Sequence, residues 1–100
     1  MLAVEPTAQG ARVSGVLDVR AAGRVREVLS DLLQSTEGDV VLDVSGLDSL
    51  DVTGLAVLVA AHQRALRQDR RLVLAGVGPS LARLLAVTRL HRVLVVTRAA

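Results

Sequence analysis

Apolar and polar positions alternate weakly over residues 2–5 and more firmly over residues 11–17, where Ala11, Val13 and Gly15 fall on one side and Arg12, Ser14 and Val16 on the other. Period-two alternation belongs to half-buried strands, so the chain opens with a predicted hairpin closed around Gly10. The period then changes. Apolar residues recur at Ala22, Val25, Val28, Leu29, Leu32 and Leu33, the three-and-four spacing of one helical stripe, which predicts a helix over residues 21–35 and a turn at 36–39 containing Gly38.

Residues 40–44 are apolar and β-branched apart from Leu42 and Asp43, as expected of a central strand covered on both faces. A polar loop is expected over 45–51. Thr53 then stands as the N-cap of a second helix, running to about residue 68, in which Leu55, Leu58, His62 and Ala65 share a face. A strand at 71–75 leads to a third helix over 79–87, opened by Pro79 and buried through Leu81, Leu84 and Leu85, and a last strand covers 93–96. The order β-β-α-β-α-β-α-β describes an α/β fold over residues 1–100, a single domain with a mixed β-sheet of about five strands and three to four helices. In open sheets of this kind partners meet the loops at the carboxyl ends of strands, which points to residues 45–54.

Composition narrows the functions available. There is no Phe, Tyr or Trp, so the core must be Leu, Val and Ala, and base stacking on aromatic rings is excluded. Every basic residue is Arg, twelve against ten carboxylates, for a formal charge of +2. Apart from the Arg70–Arg71 pair they are spread along the chain, as on solvated faces, and no nucleic-acid partner is expected. The absence of Cys fits a reducing, cytoplasmic setting. Residues 1–10 lack the layout of a signal peptide, and the longest strongly apolar stretch, 54–61, is too short to span a bilayer, so no membrane partner is expected.

The chemistry on offer is that of binding. No His–carboxylate pair lies near Thr53 and no Gly-rich phosphate loop is present, so neither an enzyme nor a cofactor is expected. Asp43, Asp48 and Asp51 match no calcium-loop spacing. His62 is expected to pack at the core edge, and isolated His91 likewise. Asp51 should brace its loop by accepting backbone hydrogen bonds, and Val57 with Ala60 is expected to form a small apolar patch beside Thr53. On chemistry alone a plain helix cap explains Thr53 better than a regulated site.

The stretch 41–55, VLDVSGLDSLDVTGL, followed by AVLVAAHQRAL, resembles the STAS domain family, and within it the stand-alone anti-sigma factor antagonists. Asp51, Thr53, Gly54 and Leu55 fall on the family's D-S-S-G-L or D-S-T-G-L element, with Val52 in place of Ser. Gly15-Val16-Leu17-Asp18 looks like its G-x-L-D, and residues 78–84 resemble its S-P-x-V-x-R-L helix, with Arg83 on the Arg. Arg89 stands where relatives often have a Gly. The resemblance covers residues 11–96 and implies a partner switch. In it the unphosphorylated protein binds an anti-sigma factor with a GHKL-type kinase domain and so frees the sigma factor, and phosphorylation of Thr53 ends the binding. ATP and its metal belong to that kinase, and a phosphatase is a further partner. The implied contact surface is Asp18, Asp51, Thr53, Gly54, Leu55 and Val57. The alternative is the STAS subunit of a bacterial ABC lipid-transport system, docking on its ATPase, in which the functional Thr directly follows the Asp.

Overall fold

In a computed structural model, which describes residues 1–98, the chain forms β1 (Leu2–Thr7), β2 (Gly10–Leu17), α1 (Val19–Ser35), β3 (Val40–Leu50), α2 (Val52–Arg67), β4 (Leu72–Val77), α3 (Pro79–Val87) and β5 (Val95–Arg98), with a 3-10 turn at Leu90–Arg92. The strands lie side by side in sequence order. β1 is antiparallel to β2 and every later pairing is parallel, the mixed α/β sheet and element order that the hydrophobic pattern predicts.

The parallel crossovers step along the sheet in one direction, and with the right hand that such connections take this puts all three helices on the same face. β3 records the consequence: Val40, Leu42 and Val44 are buried, whereas Val41 and Asp43 are half-buried and Ser45 is exposed. The expectation that this strand is covered on both faces is therefore corrected. Its open side is apolar because Val41, Val73 and Val95 are successive register partners across β3, β4 and β5. One residue pair along, Glu5, Arg12 and Asp43 are successive partners across β1, β2 and β3, an alternation of charge that favours this register.

The helical side of the sheet is closed by Leu17, Leu29, Leu42, Leu58, Leu74 and Leu85. Ala65 is also fully enclosed, so without aromatic rings the interior is filled by many small apolar side chains at close packing. His62 lies deeper than the core edge expected of it, at 2% exposure. Its Nδ1 accepts the backbone N–H of Leu72 at 3.4 Å, a long bond that nonetheless leaves that nitrogen partnered.

Several boundaries move for identifiable reasons. The hairpin turns at Ala8 and Gln9, and Gly10 already pairs with Thr7. A Cβ on Gly10 would stand 2.1 Å from the Val41 carbonyl oxygen, so glycine there serves the close approach of β3 and not the turn. The 45–51 loop is absent: β3 runs on to Leu50, held by β2 through the pairs Gly15–Leu47, Val16–Ser49 and Leu17–Leu50. The polar residues of that stretch are strand residues beyond the last pairing with β4 at Asp43–Ala75, where one flank of β3 is free of a neighbouring strand. β5 starts at Val95 because Arg89 adopts the left-handed conformation, φ 62°, and leads into the 3-10 turn.

The Arg70–Arg71 pair is absorbed by the fold. Arg70 is 9% exposed and its guanidinium donates to the carbonyls of Gly38 (2.6 Å) and Leu33 (2.7 Å) and to Thr36 Oγ1 (2.7 Å). It thus satisfies backbone acceptors left open at the end of α1 and binds the following turn to the α2–β4 connection. Arg71 pairs with Asp39 at 2.8 Å on the surface, and this hydrogen bond holds the Asp39 carboxyl below its ordinary value. Asp43 is lowered chiefly by the Ser45 hydroxyl and N–H, with a smaller contribution from Arg12.

Replacing Arg70 by Met should cost about 2–4 kcal/mol, because the buried Leu33 carbonyl and the part-buried Gly38 carbonyl lose a charged donor. Lys, a point charge without the planar fork, should restore less than half of the loss. Urea unfolding of the three proteins measures both effects. For Asp39 and Asp43 the folded-state pKa lies below the unfolded one, so their contribution is present above pH about 4 and disappears as pH falls through the folded values. The urea midpoint should therefore drop from pH 5 toward pH 2.5, and the double substitution Asp39→Asn with Asp43→Asn should flatten that drop; an unchanged slope contradicts the assignment.

Candidate functional site at the start of the second helix

Leu17 and Leu50, the last residues of β2 and β3, are register partners, so the residues that follow them, Asp18 and Asp51, emerge side by side from the carboxyl edge of the sheet. Each opens a helix. Asp18 caps α1 by accepting the N–H groups of Arg20 (3.0 Å) and Ala21 (3.3 Å), and Asp51 caps α2 by accepting that of Gly54 at 2.8 Å. The cap of α2 is thus Asp51, and not Thr53 as the spacing suggested. A carboxylate two residues earlier is the better acceptor for the orphan N–H groups, and it moves Thr53 into the first turn.

α2 is seated directly on the end of β2. The N–H of Asp51 donates to the Leu17 carbonyl at 3.1 Å, and a Cβ on Gly54 would come within 2.6 Å of that same oxygen and 2.7 Å of Leu17 Cγ. Only glycine lets the first turn approach so closely. Gly54 and Leu55 are buried by this contact, while Asp51, Val52 and Thr53 are exposed. The Thr53 hydroxyl is thereby presented at the electropositive end of a sixteen-residue helix, where the macrodipole and unpaired N–H groups favour an anion.

The residues marked by the sequence divide in two. Asp18, Asp51 and Thr53 meet at one edge of the molecule, with Asp18 half-buried. Gly54, Leu55 and Val57 are buried: Val57 is only 4% exposed and lines a small cleft with Leu29 of α1, and Leu55 borders the groove between α2 and α3. The expected Val57–Ala60 patch is corrected accordingly, because α1 packs against the side of α2 that carries Val57. The exposed apolar surface beside Thr53 is built on another stripe, Val52, Ala56, Val59 and Ala60, facing Leu84 and Leu90 across a groove of about 560 Å³. An apolar stripe on each side of α2 was legible in the segment VTGLAVLVAA, but which stripe α1 covers was not. Asp43, Asp48 and Asp51 do not converge. Asp43 accepts from Ser45, Asp51 caps α2, and no metal-holding cluster occurs among the described residues. Among the same residues no helix is long and apolar enough to cross a membrane.

Comparison with known proteins agrees with this geometry. The family model described as "Mlab, STAS domain" matches residues 2–97. The anti-sigma-B factor antagonist of Staphylococcus aureus is 29% identical over 79 residues, 79% of this chain and 73% of that one. An anti-sigma factor antagonist from Mycobacterium paratuberculosis superposes with a TM-score of 0.77 over 96% of this chain and 83% of that one, at 21% identity. A sulfate transporter family protein from Wolinella succinogenes superposes with a TM-score of 0.73 over 87% and 74%, at 22% identity. Regulators and transport proteins thus share the fold, and the fold alone does not choose between them. With its sheet order, its seated second helix and a family model matched over nearly its whole length, the chain belongs to the STAS domain family.

Proposed function

We propose that this protein is an anti-sigma factor antagonist, whose unphosphorylated form binds an anti-sigma factor carrying a GHKL-type kinase domain and is released when that kinase phosphorylates Thr53. The observation that carries this reading is the exposure of the Thr53 hydroxyl in the first turn of α2, beside the cap that Asp51 makes with Gly54. The relation to the staphylococcal antagonist over most of both chains supports it.

The mechanism follows from charge. A phosphate on Thr53 adds about −1.5 to −2 charges at a helix end that stabilises anions, so the protein's own fold tolerates it. A partner packed on the same surface must strip water from that charge. A penalty of about 3 kcal/mol weakens binding roughly a hundredfold, sufficient for a switch. ATP and metal come with the kinase, and a phosphatase resets the cycle. Asp18 flanks the contact surface, and Gly54 and Leu55 support it from beneath.

In the lipid-transport alternative the functional Thr usually follows the Asp directly. The residue there is Val52, 82% exposed and without a hydroxyl, which favours the sigma-factor pathway.

Incubation with anti-sigma kinases from the same genome and ATP should place a phosphate on Thr53, read by mass spectrometry, and Thr53→Ala should abolish it. Thr53→Asp should bind the kinase about a hundredfold more weakly than wild type by calorimetry. Phosphate confined to Ser45 or Ser49, undiminished binding by Thr53→Asp, or capture of a transporter ATPase in place of a kinase would each overturn the proposal.

A further inference from the structure

Gly54 runs against the propensity of its own helix: in the first turn of α2 an alanine would lose less backbone freedom on folding. Its conformation does not call for glycine either, since the glycines of positive φ among the described residues are Gly15, Gly38 and Gly76. What excludes a side chain is the neighbour. A Cβ here would meet the Leu17 carbonyl oxygen at 2.6 Å and Leu17 Cγ at 2.7 Å. To restore an ordinary carbon–carbon contact of about 3.5 Å, one side must retreat by about 0.8 Å.

The end of β2 is the side that cannot give. Leu17 is fully buried and pairs with Leu50 of β3, and the N–H of Val16 donates to the Met1 carbonyl at 3.1 Å. Directly after Leu17, the Asp18 carbonyl accepts the N–H groups of Ala21 (3.1 Å) and Ala22 (2.9 Å), and so ties the strand end to α1. The start of α2 is held less firmly, because Asp51, Val52 and Thr53 are exposed. A side chain at residue 54 therefore lifts the first turn of α2 from its seat, together with the Gly54 N–H that the Asp51 carboxylate accepts. Asp18 stays with β2 and α1, whereas Thr53 moves with α2.

From this geometry we infer that Gly54 is a positioning residue: the missing side chain sets the separation between Thr53 and Asp18, so that the protein partner meets hydroxyl and carboxylate as one rigid surface. The inference rests on the proposed switch and adds to it the group that must be recognised together with the hydroxyl. Selectivity then resides in the spacing of two helix starts, which the sequence around Thr53 does not carry by itself.

The test compares the full chain with Gly54→Ala, Asp18→Asn and the two combined, using as probe the anti-sigma kinase of the same genome that binds the wild type. Asn caps a helix as Asp does, so Asp18→Asn removes the charge and keeps α1. By calorimetry, Gly54→Ala and Asp18→Asn should each weaken binding at least about tenfold. The combined variant should bind within about twofold of Gly54→Ala, because groups moved apart are no longer read jointly, whereas a purely structural role gives additive losses. Gly23 of α1, around which a Cβ would have open space, supplies the control: Gly23→Ala should raise the urea midpoint and bind as the wild type does. Circular dichroism establishes whether Gly54→Ala folds. If it does not, the wild type decides: the bound kinase should slow amide exchange over residues 18–21 together with 51–54, and slowing at 51–54 alone would overturn the inference. A wild type that no anti-sigma kinase binds removes the switch and this role with it. A wild type that is bound, beside a Gly54→Ala bound as tightly or an Asp18→Asn loss equal in both backgrounds, removes the positioning role and leaves the switch standing.

Discussion

The first turn of α2 rests on the carbonyl of Leu17. That oxygen accepts the N–H of Asp51 and lies where a side chain on residue 54 would otherwise stand, so helix and strand end are locked together at van der Waals contact. Everything at the candidate site inherits its position from this contact. Asp51 can cap α2 because its backbone is held, Leu55 is pressed into the core, and Thr53 is left on the outside of the turn. Asp18, next in chain to Leu17, joins the site for the same reason.

The sheet has one covered and one open face, and this asymmetry sets where function can reside. Three helices in sequence order on one side bury a core made wholly of aliphatic side chains and one histidine. Such a core depends on many small contacts and tolerates few voids. The separation of α3 from α2 is consequently not a packing defect of the interior: Leu58, Leu74 and Leu85 remain fully enclosed beneath it. The opening lies above them, at the surface, among residues that face outward from both helices.

Charge is divided along the chain in the same sense. Carboxylates dominate residues 1–51 and arginines residues 52–98, yet two of the arginines that stand out most in the sequence, Arg70 and Arg71, serve the fold. Arg70 shows why a basic pair is a poor guide to a binding patch. Its guanidinium is spent on four acceptors that the chain itself provides, at the end of α1, in the turn after it and at Gln68.

Local periodicity was sufficient to determine the element order, the third helix from Pro79 to Val87 and the amphipathic first helix, because each depends on residues within a turn or two of one another. The resemblance to STAS domains added the family, and with it the attention to Asp51, Thr53 and Gly54. What the sequence could not decide was set by contacts between distant segments. The extension of β3 to Leu50 requires β2 beside it, the burial of Val57 requires α1, and the capping of α2 by Asp51 requires the Leu17 carbonyl that fixes its backbone. The exposure of β3's second face follows from a common crossover direction that no single segment encodes. Periodicity reports which residues of an element are apolar; only the packed chain selects which apolar face is covered and which is left open.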